Sequence, residues 1–123
     1  MFWKKENRES SEINWNHLNT IEQLEQIKEE SRSQPVLIYK HSTRCSISSM
    51  ALDRLERSWS KELDTVKAYY LDLITYREIS NAIAKEFGIY HESPQAILIK
   101  DGKAIYDASH MSISTSAIKQ HAT

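Results

Sequence analysis

Val36-Leu37-Ile38-Tyr39-Lys40-His41-Ser42-Thr43-Arg44-Cys45-Ser46-Ile47-Ser48 is the stretch on which the fold turns. Its first half is a short apolar run bounded by Pro35 and a polar loop, which suits a central strand buried on both faces. Its second half opens a helix over Ser46 to about Trp59. Ile47, Met50, Ala51, Leu55 and Trp59 give that helix an apolar stripe, while Asp53, Arg54, Glu56 and Arg57 face water. Cys45 stands at the join and is the only cysteine of the chain. A thiol at a helix N-terminus meets free backbone N–H donors and the positive end of the helix dipole, and both favour the thiolate. Being alone, it cannot close a disulfide within its own chain, so a sulfur partner must come from another molecule. The competing reading of such a residue is a small buried hydrophobe.

Toward the N-terminus, Ile13 to Leu18 alternates and predicts a short strand. Thr20-Ile21-Glu22-Gln23 has the form of a capping box, with Thr20 as N-cap and Gln23 reaching back. Ile21, Leu24 and Ile27 then mark one helix face, and Pro35 ends the segment. Toward the C-terminus, Val66 to Leu73 reads as a second central strand. Ile79, Ala82, Ile83 and Phe87 predict a helix over Tyr76 to Phe87, closed by Gly88. Ala96 to Lys100, the Asp101-Gly102 turn and Lys103 to Asp107 predict an antiparallel hairpin. Thr115 to His121 can form a last short helix, and the Ser-rich residues 108–114 are unassigned. Alternating strands and helices followed by a hairpin imply one α/β domain over 13–123 with a mixed sheet.

Composition narrows the function classes. The 123 residues fit a single domain with a real core. Sixteen Lys and Arg nearly balance seventeen Asp and Glu, for a net charge of −1, so no basic field calls for nucleic acid. The five histidines are scattered, and no Cys/His spacing predicts a metal site. No apolar stretch approaches the ~20 residues of a membrane span. Residues 1–12 lack the apolar core of a secretory signal and read as a mobile tail, in which Phe2 and Trp3 could dock on the domain or on a partner. These features suggest a cytoplasmic globular protein.

From about Ile13 to His121 the chain resembles the thioredoxin superfamily. Three stretches carry the likeness. They are the strand–loop–Cys–helix step at Val36 to Ser48, the helix end Ile83-Ala84-Lys85-Glu86-Phe87-Gly88-Ile89, and Ser93-Pro94-Gln95-Ala96-Ile97-Leu98-Ile99-Lys100-Asp101-Gly102-Lys103. More narrowly, Lys40-His41-Ser42-Thr43, Cys45-Ser46-Ile47-Ser48, Ala68-Tyr69-Tyr70-Leu71 and His91-Glu92-Ser93-Pro94-Gln95 resemble the YtxJ family of monothiol bacilliredoxins. That family usually has threonine before the cysteine and proline after it; Arg44 and Ser46 stand there in this chain. The loss of proline loosens the helix start, and Arg44 adds a positive charge beside the sulfur.

The resemblance implies a thioredoxin-like α/β fold, with a central mixed sheet of four to five strands flanked by helices on both faces. It implies a thiol-disulfide oxidoreductase in which Cys45 removes the small thiol bacillithiol from protein mixed disulfides. Free bacillithiol or another redox protein would then clear Cys45, and no tightly bound cofactor or metal is implied. Ser48 stands where dithiol relatives carry a resolving cysteine. Its hydroxyl reads either as a hydrogen-bond partner of the thiolate or as an ordinary first-turn polar group, with backbone N–H groups at Ser46 to Ser48 assisting. Pro94 would be cis, and Ser93 would offer main-chain groups to an incoming peptide or thiol. Arg44 and Lys40 are candidates for the carboxylates of bacillithiol. His41 reads as a site-rim residue or a solvated strand end, and His91 as a neighbour of the cis-proline loop with or without a direct role. Tyr39, Tyr69, Tyr70 and Trp59 read as packing residues. An iron–sulfur carrier resembling the monothiol glutaredoxins and a non-catalytic adaptor are the two other functional classes the residues allow.

Overall fold

The computed structural model describes residues 12–123; the tail expected over 1–12, with Phe2 and Trp3, lies outside the described residues except for Glu12. The elements are β1 (Trp15–His17), α1 (Glu22–Glu30), β2 (Val36–His41), α2 (Ser46–Ser58), β3 (Lys67–Asp72), α3 (Arg77–Phe87), β4 (Gln95–Lys100), β5 (Lys103–Ser109) and α4 (Thr115–Ala122). The strands form one sheet in the order β1-β3-β2-β4-β5. β1 and β2 run parallel to β3, which the intervening helices permit, whereas β4 runs antiparallel to β2 and β5 antiparallel to β4. This is the mixed sheet that the order of elements implies, in the thioredoxin-like arrangement that the resemblance implies.

β2 is central, and all six of its residues are buried. Alternation sends Val36 and Ile38 to one face, where Leu24 and Ile27 of α1 and Ile79 and Ile83 of α3 cover them. Leu37 and Tyr39 go to the other, beneath Ala51 and Leu55 of α2, Trp59 just past its end and Ile118 of α4. Each face therefore removes a full set of large apolar side chains from water, at roughly 1.5–3 kcal/mol per side chain.

The ends of the elements follow local chemistry. Gln23 does reach back, its Oε1 accepting from Asn19 N at 2.7 Å and Thr20 N at 2.9 Å. Thr20 does not cap: the helix begins one residue later, and no side chain caps it. Ile21, expected on the buried stripe, is 45% exposed. Gly88 takes the left-handed conformation (φ 65°) that ends α3. Asp101 and Gly102 are both at positive φ (52° and 77°), which makes the two-residue turn of the β4–β5 hairpin. β5 runs on to Ser109, two residues past the expected strand. A short 3-10 turn over His110–Ser112 then occupies the Ser-rich stretch.

Candidate active site

β2 delivers the chain to the Cys45 loop at one end of the sheet. The loop is a tight turn: Cys45 N–H donates to Ser42 O at 3.2 Å, and Ser49 N–H donates to Cys45 O at 3.2 Å to start α2. Cys45 is the N-cap residue, extended at φ −115° and ψ 119°, with its side chain free of any capping hydrogen bond. It is half-buried, and Thr43, Arg44, Ser46 and Ile47 around it are exposed. The first turn of α2 carries no acidic residue to oppose a negative sulfur. Ile47 and Met50, expected on the buried stripe, are 44% and 59% exposed and instead stand on the surface of α2. The buried arc runs through Ser48, Ala51 and Leu55. Arg54 also departs from the expected wet face, donating to Met111 O and Ile113 O.

Ser48 lies one turn past Cys45 and is completely buried. Its Oγ accepts from Ser42 N–H at 3.0 Å and lies 2.7 Å from His41 Nδ1. Its carbonyl accepts from Tyr39 Oη at 2.9 Å. Among the described residues, no hydrogen bond joins Ser48 Oγ to the Cys45 sulfur. The serine in the resolving position thus fastens α2 to the end of β2. His41, read as a rim or solvated residue, is 5% exposed. Its ring is stacked on Tyr39 at 6.1 Å and lies 5.6 Å from that of Tyr70. Burial pushes the His41 pKa down, against the pull of Asp72 and Glu56. Asp72 is itself held low despite its partial burial, because Thr75 and Ile74 donate to its carboxylate and His41 lies nearby.

Across from this loop the Ser93–Pro94 peptide is cis, as the resemblance implies. The β2–β4 register pairs Tyr39 with Ala96 and Lys40 with Gln95. β4 therefore begins where β2 ends, which puts the cis-proline loop at the same end of the sheet as the Cys45 loop. Pro94 is buried, and Ser93 is half-buried. His91 is exposed, and its Nδ1 lies 3.3 Å from Ser80 Oγ. Partial desolvation, with Lys40 and Arg77 nearby, lowers its pKa. Gln95 is fully buried and ties the loop down, its Nε2 donating to Tyr90 O at 3.0 Å.

Lys40 is the clear correction. It was a candidate for binding carboxylates, and such a role needs an accessible ammonium. Lys40 is fully buried, and its Nζ has no hydrogen-bond partner among the described residues. Burial alone pushes its pKa down to about 8. Arg44 is left as the exposed cation next to the sulfur. The sequence reading missed the Tyr39–Ser48–His41 arrangement. Its signal was the two-residue spacing that puts Tyr39 and His41 on the same face of β2, the face that meets α2.

Among the described residues, no group of His, Cys, Asp or Glu is placed to hold a metal ion. No helix there is long and apolar enough to cross a membrane. The chain is similar to a solved structure of a proposed oxidoreductase with a thioredoxin fold, at 33% identity and a TM-score of 0.74, over 87% of this chain and 92% of that one. Thioredoxin from Malassezia sympodialis (Mala s 13) matches at 23% identity and TM-score 0.70, over 94% of this chain and 95% of that one. Thioredoxin from Trypanosoma brucei brucei matches at 16% identity and TM-score 0.70, over 90% and 89%. The last two show the fold alone. The model of the monothiol bacilliredoxin family BrxC matches residues 16–118. With one cysteine, a thioredoxin fold and that match over most of its length, the chain belongs to the monothiol bacilliredoxins and is a thiol-disulfide oxidoreductase.

Proposed function

We propose that Cys45 is the exchanging thiol and that it takes bacillithiol from protein mixed disulfides. The observation that carries this reading is the setting of Cys45: a half-buried cysteine at the start of α2, at the same end of the sheet as a cis-proline loop, with buried Ser48 where a second sulfur would stand. The Cys45 thiolate attacks the bacillithiol sulfur of the client disulfide. A Cys45–bacillithiol disulfide forms as the client disulfide breaks, and the client sulfur leaves as a thiolate that takes a proton from water. A second thiol, from free bacillithiol or another redox protein, then attacks the adduct and releases Cys45. Ser93 main-chain groups receive the extended segment that bears the disulfide. Exposed Arg44 pairs with a carboxylate of the small thiol. Exposed His91, before the cis-proline loop, is a further candidate for contact with the substrate. The work belongs in the cytoplasm, where isolated thiols stay reduced.

The test offers a bacillithiolated client and follows both proteins by mass spectrometry. The adduct mass is expected on Cys45 while the client returns to its free thiol, and Cys45→Ala abolishes both changes. If Cys45→Ala frees the client at the parent rate, the proposal fails. A brown protein with visible absorption after expression would instead point to the iron–sulfur carrier.

A further inference from the structure

Arg54 stands in the middle of α2, and its guanidinium reaches off the helix. Its Nη2 donates to Met111 O at 2.8 Å and to Ile113 O at 2.6 Å. Those carbonyls belong to the 3-10 turn over His110–Ser112 and to the residue after it, which carry the chain from β5 toward α4. The same turn also reaches the loop that precedes β4. His110 N–H donates to Pro94 O at 3.1 Å, and the His110 imidazole Nε2 lies 3.8 Å from Glu92 Oε1. One path therefore joins α2 to that loop: guanidinium, turn carbonyls, His110 amide, Pro94 carbonyl. His110 takes a positive φ of 54° within this bridge. A residue with a Cβ seldom does so, and such a conformation persists only where its surroundings over-determine it. The grip of Arg54 on two carbonyls and the bond to Pro94 supply that determination from both sides.

We infer that Arg54 is a positioning residue of the exchange: through the turn at His110–Ser112 it holds the loop of Ser93 and Pro94 in a fixed place relative to α2, the helix whose N-cap is Cys45. This rests on the reading of Cys45 as the exchanging thiol. Pro94 O is committed to the bridge, whereas the Ser93 amide and carbonyl have no hydrogen-bond partner among the described residues. A client segment has to meet those free groups and present its disulfide to Cys45 at the same time. The separation of the two anchors then decides whether the disulfide lies in line with the sulfur. A misplacement of about 1 Å can cost an oriented reaction on the order of 100-fold. A loop free to drift against α2 loses that alignment for a polypeptide client. A small reagent that meets only the sulfur is indifferent to it. Arginine suits the task because one planar NH2 group aims two protons at two carbonyls. Lysine carries the same charge on a flexible stem without that direction.

Two variants test the bridge and its consequence. Arg54→Met keeps the stem and removes the guanidinium, and Arg54→Lys keeps the charge. Amide hydrogen exchange reads the bridge itself. The His110 amide, protected by Pro94 O, is expected to exchange about tenfold faster in Arg54→Met, while the amides of β2 keep their protection and show the fold intact. Two rates then read the consequence. One is transfer of the adduct to Cys45 from a peptide whose single cysteine carries bacillithiol; the other is alkylation of Cys45 by iodoacetamide. The ratio of transfer to alkylation is expected to fall about tenfold in Arg54→Met and about threefold in Arg54→Lys, which recovers part of the hold. A ratio unchanged in both variants overturns the inference. So does a parallel fall of both rates, which would place the fault in Cys45 itself. Unchanged exchange at His110 overturns it as well, since the loop would then keep its place without Arg54. If Arg54→Met loses protection throughout β2, the ratio in Arg54→Lys decides. A parent protein that takes no adduct onto Cys45 would sink the reading of Cys45, not the bridge, which hydrogen exchange judges without any mixed disulfide.

Discussion

Lys40 and His41 are consecutive residues at the end of β2, both buried, and they point to opposite faces of the sheet. His41 meets a complete set of partners: the Ser48 hydroxyl, two tyrosine rings and, within electrostatic reach, Asp72 and Glu56. Lys40 meets none, for among the described residues its Nζ has no hydrogen-bond partner and no carboxylate lifts its pKa. One position spends its polar group on fixing the start of α2 and the setting of Cys45. The other carries a desolvation cost with nothing to offset it. Polar burial at the end of β2 is therefore not one phenomenon: its consequence depends on whether each donor and acceptor is matched.

Lys40→Met tests that contrast most severely. Methionine keeps the length and flexibility of the stem and removes the stranded cation. The variant is expected to be more stable by about 2–4 kcal/mol, measured by denaturant unfolding. A loss of stability would mean that the ammonium has a partner in solution, and the two sides of β2 would then be alike.

The same cation gives stability an alkaline signature. The Lys40 pKa is about 8 in the fold, against 10.5 as its ordinary value. Below pH 8 both the folded and unfolded chains carry the proton, and the penalty is present in full. Between pH 8 and pH 10.5 the unfolded chain binds more protons, so stability rises with pH. Tyr39 acts in the opposite sense, because burial raises its pKa from 10.0 to about 12. Above pH 10 the unfolded tyrosine ionises first, and stability falls. The protein is expected to gain on the order of 2 kcal/mol between pH 8 and pH 10 and then to lose it, with the gain absent from Lys40→Met. A flat profile in the parent protein would contradict an unpaired buried lysine.

The contrast was only half legible in the sequence. Pro35 and the apolar run placed β2 correctly, Asp101-Gly102 placed the hairpin, and Gly88 placed the end of α3, because each is a local demand on the backbone. Lys40 and His41 were taken for accessible groups because their chemistry suits water. Their burial is decided by what covers them, which for His41 includes the first turn of α2. No local periodicity encodes that. Ile47 and Met50 were misplaced for a related reason. Ser48 occupies the centre of the buried arc, and a polar residue there shifts the apparent stripe by one position. The candidate site was legible where the resemblance supplied it, in the cis Pro94, and opaque where hydrogen-bond partners had to be counted.

Tyr39→Phe probes the satisfied side with the smallest change. The hydroxyl donates to the Ser48 carbonyl at 2.9 Å in a buried position. That carbonyl sits in the first turn of α2 and keeps its intrahelical acceptor role, so the deletion strands no group. The cost is therefore one net hydrogen bond, about 0.5–1.5 kcal/mol, with the ring packing retained. Its sign is opposite to that of Lys40→Met, on the same strand and at the same depth. The variant also removes one titrating group from the alkaline limb. The fall in stability above pH 10 becomes shallower without vanishing, because burial raises the pKa values of Tyr69 and Tyr70 as well. A stabilised Tyr39→Phe would mean that desolvating the phenol costs more than its bond to Ser48 returns. Matched and unmatched polar groups at the end of β2 would then differ only in degree.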